Sequence, residues 1–312
     1  NRRPDPYRAR TISYLINQSK KSITLNLSNP KGIQLVKDLA SISDVVIENF
    51  APGVIERLGL SYEQFCEVRP EIIMLSSAGL GHSGPDMKHV AYGTLVQCFT
   101  GWSSLQGYPG RETELVSGIW TDPMVGIMEV FLINAALHRC RQTGQGEYID
   151  VSMAEATTML LPEAILDYAM NGRIQQPIGN RDKHLAPQGN YPCIGDDEWI
   201  GISVSNEYDW MELCRVLDCD SLIQDERFNN MDNRLANHDD LDNEISSRTR
   251  RWIASELMEK LQSRGVTAGA TQTVDQLRSN EHWKDRGFFS HYTEQDVDNT
   301  QHELPIVPWR FD

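Results

Sequence analysis

The sequence predicts an α/β protein in which a large domain built on a parallel sheet is followed by a smaller α+β domain. Three observations carry that expectation. Between residues 22 and 77 short β-rich runs alternate with amphipathic helical ones, the pattern of βαβ units. A polar stretch punctuated by Pro and Gly, residues 171–190, then interrupts the chain. Beyond it a hairpin pattern leads into charged amphipathic helices up to about residue 285. With 312 residues, 40% of them hydrophobic, there is apolar material for two globular units.

Taken in order, SITLNL at 22–27 reads as the first strand, and PKGIQLVKDLASIS as a helix with Pro30 in its first turn. DVVIENF is the next strand. Helices follow around VIERLGL, stopped by Gly59, and around SYEQFCEVRP, capped by Ser61; EIIMLSS is a third strand. Residues 79–118, rich in Gly, Ser and Pro, read as loops laid over this scaffold, with one helical stretch at AYGTLVQCF. A long helix is expected from Pro123 to about Arg141, then the turn QTGQGE, the strand YIDVSM and a helix through Met170. In the second domain YPCIGDDEWIGISVS reads as a hairpin turning at GDDE, DNRLANHDDLDNE as a solvated helix face, and LPIVPWRFD as extended chain. The domain scheme is thus 1–170 for the large domain, 171–190 for a linker, 191–285 for the small domain and 286–312 for a segment returning towards the large one.

Charge narrows the function. A net charge of −15 and a pI near 5.0 argue against nucleic acid or an anionic membrane as partner, so an anionic ligand must be met by a local cluster of bases. No apolar run approaches the roughly 20 residues that span a bilayer, and NRRPDPYRAR lacks the apolar centre of a signal peptide; a soluble, cytoplasmic protein is expected. The six cysteines (Cys66, Cys98, Cys140, Cys193, Cys214, Cys219) have no zinc-ligand spacing and read as reduced thiols, so no metal site is predicted. His82, in GLGHSGPD, and His138, on an apolar helix, read as structural. The chain opens without Met on a polar stretch, which reads as part of a longer protein.

P-loop, GxSxG and HExxH motifs are all absent. The sharpest remaining signal is VSGIWTDPMVGIMEVFLINAAL, where Asp122 precedes Pro123 at the start of the most apolar helix. Asp at the N-cap and Pro at N1 are both favoured, so a plain helix cap is one reading. The other is a nucleophile, because the carboxylate follows a long Gly-rich loop beside Trp120, and an ionised carboxylate so held can attack a thioester. Ligands of open parallel sheets lie at the carboxyl ends of the strands. Two such ends are LNLS, with Leu25, Asn26 and Ser28, and ENFAPG, with Asn49, Phe50 and Ala51.

Several phrases together resemble the family III CoA-transferases, the group that includes the formyl-CoA and crotonobetainyl-CoA transferases: NQSKKSITLNLSNPKG, SDVVIENFAPGVIERLGL, AYGTLVQCFTG, the Asp122 helix, TGQGEYIDVSM and APQGNYPCIGDDEWIGI, in this order and spacing. The resemblance implies a Rossmann-like large domain and two chains threaded through one another as an interlocked homodimer. It implies that Asp122 is the nucleophile, that the two strand ends contact the CoA adenosine, and that Arg57 meets the CoA phosphates, with Lys20 and Lys21 as further candidates. The CoA thioester is then a substrate, not a tightly bound cofactor, and the other partner a small carboxylic acid. Tyr92 matches a tyrosine beside the thioester where the related racemases carry a histidine, which favours transfer. Val90 and Gly93 depart from the family's charged neighbours of that tyrosine, with Lys88 and His89 only nearby. HLAPQGN stands in place of the formyl-CoA enzyme's run of glycines, which argues against oxalate or formate as the acyl group. The family's opening strand precedes residue 1. The alternatives are an α-methylacyl-CoA racemase-like enzyme and an inactive CoA-binding fragment.

Overall fold

The computed structural model describes residues 16–112, 120–293 and 301–310. They fall into two compact units, one within Thr24–Gly179 and one that joins the described residues from 180 onward to residues 16–23.

In the first unit α1 (Pro30–Ser41) leads to β1 (Val45–Glu48), α2 (Val54–Arg57) and α3 (Tyr62–Cys66) to β2 (Ile73–Ala78), and α4 (Gly93–Phe99) and α5 (Thr121–Thr143) to β3 (Glu147–Ser152). The strands pair in parallel in the order β1-β2-β3. The helix ends follow their sequence signals. Asn29 caps α1 by accepting the Lys31 N–H with Pro30 at N1, Ser61 and Gln64 form a capping box on α3, and Gly59 takes φ +73° to end the preceding turn. β2 is buried along its whole length, as a central parallel strand must be. Met74 faces a cluster of Ile55, Leu60, Phe65 and Ile72 on the side of α1 and α3; Leu75 faces Val125 and Val151 on the side of α5.

Two expectations for this unit are corrected. Residues 22–27 form no strand, since no neighbouring strand among the described residues offers them a ladder. The run instead ends in a turn, with Asn29 N–H bonded to the Asn26 carbonyl at 3.1 Å and Ser28 N–H to Asn26 Oδ1 at 3.0 Å. The single helix expected through Met170 is two, α6 (Met153–Thr158) and α7 (Pro162–Asn171), because Pro162 has no N–H to continue the first and fits the first turn of the second.

In the second unit β4 (Gln188–Pro192) and β5 (Trp199–Ser203) form the expected hairpin, and β6 (Thr267–Ala270), which the sequence pattern did not disclose, pairs antiparallel on the far side of β5. Around them pack α8 (Glu207–Val216), α9 (Met231–Ala236), α10 (His238–Thr249) and α11 (Ala254–Gln262), with Tyr191, Trp210, Leu213, Phe228, Leu241 and Leu257 in the core. The short helices α12 (Val274–Ser279) and α13 (Glu281–Asp285) precede a β7–β8 hairpin of Phe289–Thr293 and Gln301–Pro305. DNRLANHDDLDNE is not simply a solvated face. Arg234 is wholly buried, bonded to the Ala186 and Phe228 carbonyls at 2.8 and 3.1 Å and to both Glu207 oxygens, with its guanidinium over the Trp210 ring. A charge so placed is tolerated because every direction of its fork finds an acceptor. No helix among the described residues is long and apolar enough to cross a membrane.

Candidate functional site

The carboxyl end of the three-stranded sheet carries the candidate site, and glycines bring the loops down onto it. A side chain at Gly79 would press on Ala91, and one at Gly81, at φ +81°, would press on Ser152 at the end of β3. Those close approaches lay the segment after β2 across the strand ends and deliver Tyr92 and Gly93 to the start of α4.

Asp122 is not the N-cap of its helix. The cap is Trp120, Thr121 is fully buried, and Asp122 and Pro123 are the second and third helical residues. Proline is accommodated because the first turn has no intrahelical acceptor for its missing N–H. The Trp120 ring packs on Trp102 at 4.5 Å between centroids, anchoring the entry to α5. The Asp122 side chain is exposed and its Oδ2 lies against the Cα of Gly93, where any β-carbon would overlap it. The carboxylate therefore stands at the amino ends of two helices, where their partial positive charge lies. Tyr92, the cap of α4, is 74% exposed beside it. The Asp122 carboxylate thus faces solvent at the helix ends and fills no core.

The other candidates divide. Ser28 and Arg57 line one open groove of about 430 Å³ together with Leu27, Pro30, Ile33, Gln34, Lys37 and Leu58. Leu25 is half-buried and Asn26 is spent on its turn. Asn49, Phe50 and Ala51 form the exposed turn after β1, with the Phe50 N–H donating to Glu48 Oε2 at 2.9 Å and the Val54 N–H to the Ala51 carbonyl at 3.1 Å. Lys20 and Lys21 belong to the other unit, and Lys20 Nζ is bonded to the Ile16 carbonyl and to Asn17 Oδ1. Part of the Gly-rich loop, residues 113–119, lies outside the described residues.

The family model for CoA-transferase family III matches residues 2–312. The chain belongs to that family. It is 29% identical over 278 residues to the succinyl-CoA–D-citramalate CoA-transferase of Chloroflexus aurantiacus, 31% over 255 residues to the acetyl-CoA:oxalate CoA-transferase of Acetobacter aceti, and 28% over 271 residues to the succinate–glutarate CoA-transferase of Agrobacterium fabrum. These matches take in 89%, 81% and 87% of the chain and 69%, 65% and 67% of the relatives, so the chain spans about two thirds of their length. Among solved structures it resembles a CaiB/BaiF family protein from Brucella suis, with a TM-score of 0.86 and 30% identity over 96% of this chain and 76% of that one. The fold is also that of Rv3272 from Mycobacterium tuberculosis, with a TM-score of 0.82 at 22% identity over 97% and 81% of the two chains.

Sequence inspection did not single out Lys37, which lines the groove with Ser28 and Arg57. The signal was available: Pro30, Ile33, Gln34 and Lys37 recur at helical spacing, and they are the four residues that α1 turns toward the groove. In the sequence Gly93 stands out only as a departure from a charged residue, because a missing side chain leaves no mark on a pattern of chemical groups.

Proposed function

We propose that the protein transfers coenzyme A from an acyl-CoA to a carboxylic acid through a covalent intermediate on Asp122. The observation that carries this reading is the exposed Asp122 carboxylate backed onto Gly93 at the amino ends of two helices, in a chain of CoA-transferase family III. A carboxylate oxygen attacks the thioester carbonyl and CoA leaves as thiolate, giving a mixed anhydride. The thiolate then attacks the Asp122 acyl carbon, the donor acid leaves as carboxylate, and an aspartyl-CoA thioester remains. An acceptor carboxylate attacks that thioester to form a second mixed anhydride, whose substrate carbonyl the thiolate takes, restoring Asp122. Each step exchanges one activated acyl bond for another, so positioning is the main demand on the protein. Tyr92 offers a phenol beside the thioester and no imidazole base for an α-proton, which supports transfer over racemisation.

CoA itself is expected to lie along the carboxyl end of a Rossmann-like sheet, its adenosine on the Leu25–Ser28 and Asn49–Ala51 turns and its phosphates at Arg57 and Lys37, whose positive charge offsets an otherwise acidic chain. Arg57→Ala should raise KM for acyl-CoA by roughly 10-fold, as the loss of one charge-assisted contact requires, with kcat little changed. Initial rates across acyl-CoA concentrations check this, and an unchanged KM removes Arg57 from the site. The acids in the relatives' names, citramalate, oxalate and glutarate, are all short dicarboxylates, so the acceptor is proposed to be one as well. A matrix of succinyl-CoA, acetyl-CoA and longer acyl-CoAs against mono- and dicarboxylic acids tests this, and transfer to monocarboxylates alone would overturn it.

A cytoplasmic, interlocked homodimer is proposed as the working form. Its support is the apolar surface that the chain leaves uncovered: Ile127, Val130 and Phe131 of α5 are 67%, 59% and 73% exposed, and Ile165, Leu166, Tyr168 and Met170 of α7 are exposed too. Sedimentation at nanomolar protein is expected to show dimer and no folded monomer. A compact monomer under those conditions would refute the assembly.

A further inference from the structure

A second polar cluster stands at the carboxyl end of the sheet, apart from Asp122. Glu48, Ser76 and Asp150 lie side by side in register across β1, β2 and β3, with Glu48 and Ser76 buried. His82, from the loop after β2, closes this row. Its Nδ1 is 3.0 Å from Asp150 Oδ1 and its Nε2 3.5 Å from Glu48 Oε1, and its backbone N–H donates to both Asp150 oxygens at 3.2 and 3.3 Å. The ring is 9% exposed. Both of its nitrogens therefore face carboxylate oxygens, Asp150 Oδ1 within hydrogen-bond distance and Glu48 Oε1 as a longer polar contact.

The row does not end at His82. Glu48 accepts the Phe50 N–H at Oε2, while its buried Oε1 makes no hydrogen bond among the described residues and has the His82 ring as the basic group facing it. A buried carboxylate left to itself is costly, so the position of Glu48 depends on what faces Oε1. From Asp150 through His82 and Glu48 a line of polar contacts thus reaches the backbone of the exposed Asn49–Phe50–Ala51 turn.

We propose that His82 is a positioning residue for coenzyme A: through Glu48 it holds the Asn49–Phe50–Ala51 turn in its binding conformation without touching the ligand. The inference rests on the reading of that turn as a CoA-contacting segment. A turn fixed beforehand does not have to be ordered when the ligand arrives, so the benefit falls on affinity and not on the chemical step. Sequence inspection treats His82 as a structural histidine; the distinction lies in what it holds.

The test is a titration of CoA onto the whole protein together with kcat at saturating acyl-CoA. His82→Ala and Glu48→Ala are each expected to raise Kd for CoA about 10-fold with kcat within about 2-fold of the parent, and the double variant about 10-fold as well, since both act through one turn. The milder His82→Gln, which retains a donor, should give a smaller rise of about 3-fold and serves if the alanine variant does not fold. Phe50→Ala separates the two levels of the argument. If it weakens CoA binding while His82→Ala and His82→Gln do not, the positioning role is wrong and the turn reading stands. If Phe50→Ala leaves Kd unchanged, the turn is not a CoA contact and both fall. A double variant weakened by about 100-fold would show independent effects and overturn the proposed line of contact.

Discussion

Asp122→Asn is expected to lower kcat for CoA transfer by roughly 10³-fold or more, because a carboxamide cannot form the anhydride that carries the acyl group. The fold should tolerate the change. Asp122 lies in the second helical position with an exposed side chain, and no side chain makes a capping bond at the start of this helix, so replacing it by Asn should leave the melting temperature nearly unchanged. CoA binding should persist as well, since the proposed CoA contacts are on α1, α2 and the turn after β1. Treating the parent protein with acyl-CoA and then hydroxylamine should convert the activated Asp122 carboxyl to a hydroxamate, visible by mass spectrometry in a peptide spanning residues 112–138. Transfer that survives in the Asn variant, with deamidation back to Asp excluded, would end the covalent mechanism.

The expectation that Asp122 is an N-cap shows where a sequence stops being informative. Asp-Pro pairs mark helix starts, and this one does, but the cap is Trp120, whose ring packs tilted on Trp102, a partner eighteen positions earlier that no local rule brings to it. The same holds elsewhere. Short β-rich runs between helical ones located β1, β2 and β3; in β2, burial on both faces writes itself into the consecutive Ile73, Met74 and Leu75, whereas β3 alternates along EYIDVS. SITLNL also has a β-rich, alternating pattern yet forms no strand, because a strand needs a partner as well, and composition carries no information about partners. Arg234 reads as surface charge within DNRLANHDDLDNE; its burial depends on Glu207 and on the Ala186 carbonyl, 27 and 48 residues away. At the candidate site the chemical groups Asp122, Arg57 and Tyr92 are legible, whereas the contact of Gly93 with Asp122, and that of Glu48 and His82 with each other and with the turn after β1, show only through distances.

Gly93→Ala puts that last distinction to work and is expected to cost about 10²-fold in kcat, the scale of a reacting group displaced by about an ångström. Gly93 is the first residue of α4, in a backbone conformation open to any L residue, and helix propensity alone favours Ala over Gly there by up to about 1 kcal/mol. The substitution would thus be neutral or stabilising if Gly93 were only part of a helix. Its new methyl group, however, would overlap Asp122 Oδ2 and stand 3.1 Å from Cγ, so the carboxylate must swing away from the ends of α4 and α5. Thermal melts and kinetics separate the two readings. The variant should melt no lower than the parent by more than the strain requires, bind CoA nearly as well, and transfer poorly; in an Asp122→Ala background, where the carboxylate atoms nearest the methyl group are gone, the same substitution should raise the melting temperature. Full activity in Gly93→Ala would mean that the carboxylate reacts from some other position, and that its seat against Gly93 is not the one from which it attacks the thioester.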